Sequence, residues 1–192
     1  MSTQAIAINS PTTGSRIQSL TETLLFTAAG VGTLFLLGKL ITLVSAASGL
    51  PNHCWQSTAA RAGASAFVVG SLTAMRRGHL ALFGAAYAVV LLASHASPML
   101  LLSAVLAGGT AYGANRLLSG SHLAIRVLIV ALSFNLMLTL SGFIKAFSST
   151  NGRTGLAEYA NGTGLRIAST VIVGLAIVLV ARIVSGRRRC AA

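Results

Sequence analysis

The run LLFTAAGVGTLFLLGK, Leu24 to Lys39, governs the reading of the rest of the chain. Fourteen nearly uninterrupted apolar or small residues, Leu24 to Leu37, end in Gly38 and a lysine, and apolar character resumes through ITLVSAASGL to Leu50. A stretch of that length and polarity suits hydrocarbon, where about 20 residues of helix cross the core of a bilayer. A lysine near its end can keep its methylenes in hydrocarbon and carry its ammonium to the headgroups. The composition agrees: 54% of residues are hydrophobic, 8% are charged and the mean hydropathy is +0.80. A soluble domain has roughly a quarter of its residues charged. The expectation is an integral membrane protein, all-α, folded as a polytopic transmembrane helix bundle. At 192 residues the chain has no room for a large soluble domain beside several spans.

Six spans are expected, at about 23–49, 58–75, 79–95, 98–118, 123–147 and 164–186, separated by PNHCWQ, RRG, SHASP, RLLSGSH and STNGRTGLAEYANG. The second and third are close to the lower limit of roughly 17 residues for a crossing, so four or five crossings are the alternatives. The organisation that follows is a flexible polar tail at 1–21, a four-helix membrane bundle at 22–120, an additional helix pair at 121–186 and a basic cytoplasmic tail at 187–192. Pro11 and Gly14 discourage helix in the first tail. That tail lacks the charged start, short apolar core and small-residue cleavage site of a signal peptide, so no processed leader is expected.

Fourteen Lys and Arg stand against two acidic residues, Glu22 and Glu158. The cations fall singly or in short groups between apolar runs and are not interleaved with aromatics, which speaks for membrane topology rather than nucleic acid. With the N-terminus inside, the inner side takes Arg16, Arg76, Arg77, Arg116, Arg126, Arg182 and Arg187 to Arg189. The outer side takes Lys39, Arg61, Lys145, Arg153 and Arg166. Nine against five places both termini in the cytoplasm of a cell membrane. Twelve of the fourteen cations are arginine, a bias that fits a GC-rich genome and a bacterial inner membrane.

The outer cations recur in order. Gly38-Lys39, Arg61 and the Gly70 region of the first helix pair are matched by Gly142 to Lys145, Arg166 and the Gly174 region of the last, with lysine and arginine twenty-two and twenty-one residues apart. This order suggests a parallel duplication about an axis along the membrane normal. Lys39, Arg61, Lys145 and Arg166 are the candidate contacts for an anion or a lipid headgroup; the simpler reading is that the lysines mark membrane depth.

The stretches LLGKL, SGLP and GSLTAMRRGHLALFGAAYAVVLLASH resemble the DoxX-like family of small four-helix membrane proteins over roughly Thr23 to Gly120, with GFIK and EYANGTG giving the last spans the look of a partial second copy. That resemblance implies a membrane subunit linked to redox or quinone systems. The acidic residue often found in the family's second helix has no counterpart between Arg61 and Met75.

Catalysis by the chain alone is poorly served. The two glutamates are expected on opposite sides of the bilayer, so no carboxylate pair is available for acid and base work. No glycine-rich phosphate loop, nucleophile elbow or CxxC is present. His53, Cys54 and His95 form the one conceivable ligand set, although histidine beside Trp55 is more simply a headgroup anchor; no metal site and no cofactor is expected. Asn135, in ALSFNLMLTLSG, is a side-chain amide in mid-span that wants a partner on a neighbouring helix. Thr33, Ser103 and Thr139 can bond their own helix carbonyls. Close helix contacts are expected at Gly109-x-x-x-Gly113, Ala28-x-x-x-Gly32, Gly70-x-x-x-Ala74 and Gly84-x-x-x-Ala88.

The favoured function is a non-catalytic anchor, assembly or accessory subunit of a membrane complex. The partners are then the lipid bilayer and other membrane subunits or a homo-oligomer. The alternatives are a small transporter or channel for an anionic or neutral solute, the DoxX-like redox subunit, and a secreted membrane-inserting effector.

Overall fold

A computed structural model describes the backbone at residues 13–49, 55–76, 78–94, 96–140, 142–144 and 152–190, with side chains at 18–49, 56–76, 78–94, 96–140, 142–144 and 159–184. It is all-helical, and no strand occurs among the described residues. Six helices are defined there: α1 (Thr13–Ala47), α2 (Trp55–Met75), α3 (Leu80–Ala93), α4 (Pro98–Leu117), α5 (Leu123–Leu138) and α6 (Gly152–Cys190).

Local chemistry accounts for the boundaries. The α1 chain reverses through Gly49, whose φ of 66° is costly for any residue with a Cβ. After α2 the turn RRG uses Arg76 at φ 54° and Gly78 at φ 80°. His79 caps α3, its side chain accepting from the Leu82 N–H. Pro98 sits at the start of α4, where a missing N–H costs nothing.

Two boundaries differ from the sequence reading. Helix α1 begins at Thr13, inside the tail expected to be flexible. Helix α6 begins at Gly152, inside what reads as a long outer loop, and it runs on through the basic tail to Cys190. Glycines weaken a helix by only about 1 kcal/mol each, and Pro11 lies ahead of α1 rather than within it.

Each helix packs on its neighbours in the closed order α1, α3, α4, α5, α6, α2 and back to α1, and α2 also meets α5 across the ring. The helix pairs in which the sequence suggests a duplication, α1 with α2 and α5 with α6, therefore each lie side by side. The buried core runs through the first five helices and centres on Phe83 and Phe134, whose rings are 5.6 Å apart, with Val69 and Val130 fully buried beside them.

Small residues set the closest approach, at two of the four expected spacings. A Cβ on Gly84 would lie 2.6 Å from the Gly108 Cα, so α3 and α4 touch backbone to backbone. A Cβ on Gly70 would lie 2.7 Å from Ile177 Cδ1 on α6. By contrast, nothing lies within 4 Å of a Cβ at Gly109, Gly113 or Gly32. Of the four spacings singled out, two therefore end on open surface, because neighbouring positions on a helix point about 100° apart and composition does not say which faces inward.

At the end of the bundle where α3 begins, the buried Thr27 hydroxyl accepts from the His79 N–H at 3.1 Å while donating to the Thr23 carbonyl, and the His79 ring stacks on Tyr112 of α4 at 4.7 Å. Thr27→Val removes the acceptor from a part-buried N–H and is expected to cost about 1–2 kcal/mol. The melting temperature in detergent should fall, whereas Thr33→Val, which loses only a bond to Ala29 of its own helix, should leave it unchanged.

By length and composition two segments could cross a membrane, Gln18–Ala47 and Tyr159–Val184; the apolar helices α3 and α5 are shorter.

Candidate functional site

Helix α1 presents Lys39 eight residues before its end, and α2 presents Arg61 six residues after its start, so the α1–α2 reversal brings both to a similar level. The Arg61 Nη2 donates to Thr42 Oγ1 at 3.3 Å, and that hydroxyl donates to the Gly38 carbonyl at 2.9 Å. The third cation comes from α6. Gly63 leaves room for Ser169, whose hydroxyl donates to the Ala59 carbonyl at 2.7 Å, and this seats α6 against α2. Arg166 lies one turn earlier on the same helix, within electrostatic range of Arg61 and of the Tyr159 hydroxyl.

These three cations line one cavity of about 570 Å³. It occupies the end of the bundle where α1, α3 and α5 finish and α2 and α4 begin, and every helix contributes to its wall. Lys39 Nζ stands over the Phe35 ring at 5.4 Å from the centroid. No hydrogen bond or ion pair of the Lys39 ammonium or the Arg166 guanidinium is made to any described residue. Nor does any Asp, Glu, His or Cys stand among the described residues lining the cavity. Glu22 is on the first turns of α1, at the far end, and the Glu158 side chain lies outside the described residues.

The floor is a closed polar network where α2, α5 and α6 meet. Asn135 is 2% exposed. Its Oδ1 accepts from the Ser65 hydroxyl, and its Nδ2 donates to the Ala62 carbonyl at 3.3 Å and to Thr170 Oγ1 at 3.0 Å. Thr170 in turn donates to the Arg166 carbonyl at 2.6 Å, which ties the floor to the cationic wall. Both amide protons of Asn135 are used, so the residue holds three helices together and has no donor left for a ligand. Higher in the cavity Thr139 and Tyr159 share a hydrogen bond of 2.8 Å between their hydroxyls.

Of the four candidate anion or headgroup contacts picked out in the sequence, the structure brings Lys39, Arg61 and Arg166 together; Lys145 lies outside the described residues, as do the side chains of His53, Cys54 and His95. Thr33, Ser103 and Thr139 each bond a carbonyl of their own helix. No group of three metal-ligating side chains occurs among the described residues. The sequence reading missed Tyr87, Thr139 and Tyr159 as cavity residues. Tyr159 had a signal, since it stands in the same EYANGTG stretch as the repeat, seven residues before Arg166; Tyr87 had none.

Arg126, counted among the cations of an inner loop, is buried at 7% exposure near the start of α5 and donates from Nε to Asn115 Oδ1 at 2.7 Å. It is a structural tie between α5 and α4 at the end opposite the cavity.

What the described walls of the cavity offer chemically is positive charge, hydroxyl groups and hydrogen-bond donors. Comparison with protein-family models, with curated proteins and with solved structures finds no match to this chain. A functional reading therefore rests on the geometry.

Proposed function

We propose that the chain is a multi-pass membrane protein, its helices embedded in the bilayer with both termini on the cytoplasmic side, and that it binds an anionic ligand in the cavity at the outer end of the bundle. The observation that carries the reading is the convergence of Lys39, Arg61 and Arg166 from three helices on one cavity without an acidic residue among its described walls. Three like charges drawn together repel one another, and inside a low-dielectric bundle a bound anion is the natural compensation. Membrane embedding is supported by the outward faces of the two longest helices, where Leu36, Leu43, Ile172 and Leu179 are each more than 60% exposed; in water such surfaces would demand a partner.

The test is thermal stability of the purified protein in mild detergent against inorganic phosphate, sulfate and acetate, with choline as a cationic control. At least one anion should raise the melting temperature in a saturable way. Arg166→Gln, which removes a charged donor, should weaken that anion by roughly 10- to 100-fold. Failure of every anion to stabilise the protein would overturn the reading. Transport and accessory roles use the same site differently. Anion flux in proteoliposomes that is lost in Arg166→Gln marks a carrier, and binding without flux marks a subunit that holds the ligand for a larger assembly.

A further inference from the structure

We infer that the ligand is an amphiphile, an oxyanion attached to an apolar chain or ring, rather than a small free anion; this rests on the anion-binding reading above. The cavity is two-sided because of the order of the helices. All three cations come from α1, α2 and α6, which are consecutive around the ring, and the facing arc of α3, α4 and α5 contributes no charged residue among those described. That arc instead supplies Leu91, Leu100 and Leu138, one from each helix, beside the neutral polar groups of Tyr87, Ser94, Asn135 and Thr139. A free phosphate or sulfate would satisfy the cationic arc and leave the leucines against water.

Two further observations point the same way. The volume of about 570 Å³ is far more than a small inorganic anion fills and lies within the range of sites for drug-sized organic ligands. The polar groups of the floor are already paired, with Asn135 bonded to α2 and α6, so nothing described at the bottom of the cavity calls for a second polar end of the ligand. One charged head and one apolar body match what the walls present. The guanidinium groups of Arg61 and Arg166 are suited to a head with two or more oxygens, which they can grip in a fork.

The experiment measures binding of inorganic phosphate and of butyl, hexyl and octyl phosphate to the full chain in nanodiscs of neutral phosphatidylcholine, with the corresponding alcohols as uncharged controls. Affinity should rise along the phosphate series by roughly three- to fourfold per methylene until the cavity is filled. Arg61→Gln should weaken every member, phosphate included. Leu100→Asn should flatten the series while leaving phosphate itself unchanged, which separates binding in the cavity from partition into the bilayer. Should Leu100→Asn fail to fold, Leu91→Asn makes the same comparison on α3.

A series that is flat in the unaltered protein, or that rises equally in Leu100→Asn and Leu91→Asn, overturns the amphiphile and leaves the anion site standing. Absence of binding by phosphate and by all its esters removes both readings together. Lipid extracted from the protein before any addition identifies the source. A stoichiometric anionic phospholipid displaced by octyl phosphate means the bilayer supplies the ligand. Lipid-free protein that binds octyl phosphate means the ligand arrives from the aqueous side.

Discussion

Gly84→Val should leave a chain that does not assemble into a stable bundle. The new Cβ would fall 2.6 Å from the Gly108 Cα and 2.7 Å from the Ala104 carbonyl oxygen, and neither is a flexible side-chain end that could swing aside. Relief requires α3 and α4 to separate along their contact, which would pull Phe83 away from Phe134 in the centre of the core. Overpacking against side chains commonly costs about 1–3 kcal/mol; against backbone on a helix crossing that depends on close approach, about 3 kcal/mol or more is expected. Gly108→Val should behave alike, since its Cβ would meet Gly84 Cα at 2.6 Å and the Leu80 carbonyl oxygen at 2.8 Å. Gly109→Val and Gly113→Val, one and five residues further on, meet nothing and should run as the unaltered protein. The readout is the size-exclusion profile and melting temperature of detergent extracts. A monodisperse Gly84→Val protein of normal stability would show that the crossing is not as close as described.

Asn135→Leu has the second largest expected effect. The substitution is close in volume and removes three hydrogen bonds that join α5 to α2 and α6. Interhelical polar contacts within membrane bundles are worth roughly 0.6–1.7 kcal/mol each, so about 2–3 kcal/mol should be lost. The partners moderate the loss, because the single Ser65 hydroxyl proton can turn from Asn135 to the Arg61 or Ala62 carbonyl and Thr170 keeps its bond to Arg166. A double-mutant cycle of Asn135→Ala with Thr170→Val should return a coupling of about 1 kcal/mol. Additive losses would mean that the amide and the hydroxyl do not interact. Because Asn135 gives the ligand no donor and Thr170 keeps its bond to the Arg166 carbonyl, anion binding should be retained by whatever Asn135→Leu protein folds.

The helices of the middle of the chain were legible because punctuation coincided with changes of polarity. RRG uses two residues at positive φ, and SHASP ends in a proline that starts α4. The outer limits of α1 and α6 were not legible. Their polar ends carry Ser, Thr and Gly, which composition assigns to loop, and no local signal distinguishes a tolerated Gly152 or Gly162 from a breaking one. At the site, the ordered recurrence of Lys39, Arg61 and Arg166 pointed to one end of the bundle. The two-sided character of the cavity was invisible, because it depends on α3 being inserted between α1 and α4 around the ring, and no one-dimensional spacing encodes that order. The same limit explains why Gly109 looked like a contact residue and Gly108 did not.

The unequal helices have a consequence for the surrounding lipid. At about 1.5 Å per residue the 14 residues of α3 span roughly 21 Å, while the 35 of α1 and 39 of α6 exceed 50 Å. In the proposed membrane setting, a hydrocarbon core of about 30 Å would exceed the span of α3 and fall short of the 26-residue apolar segment Tyr159–Val184 of α6, roughly 39 Å long. Lipid would be pinched on one side, and the long helices would lean or project on the other. Headgroups on the pinched side would then be drawn inward toward the leucine-lined arc. On that reading, membrane thickness would tune both where the protein resides and how easily a chain-bearing molecule reaches its cavity.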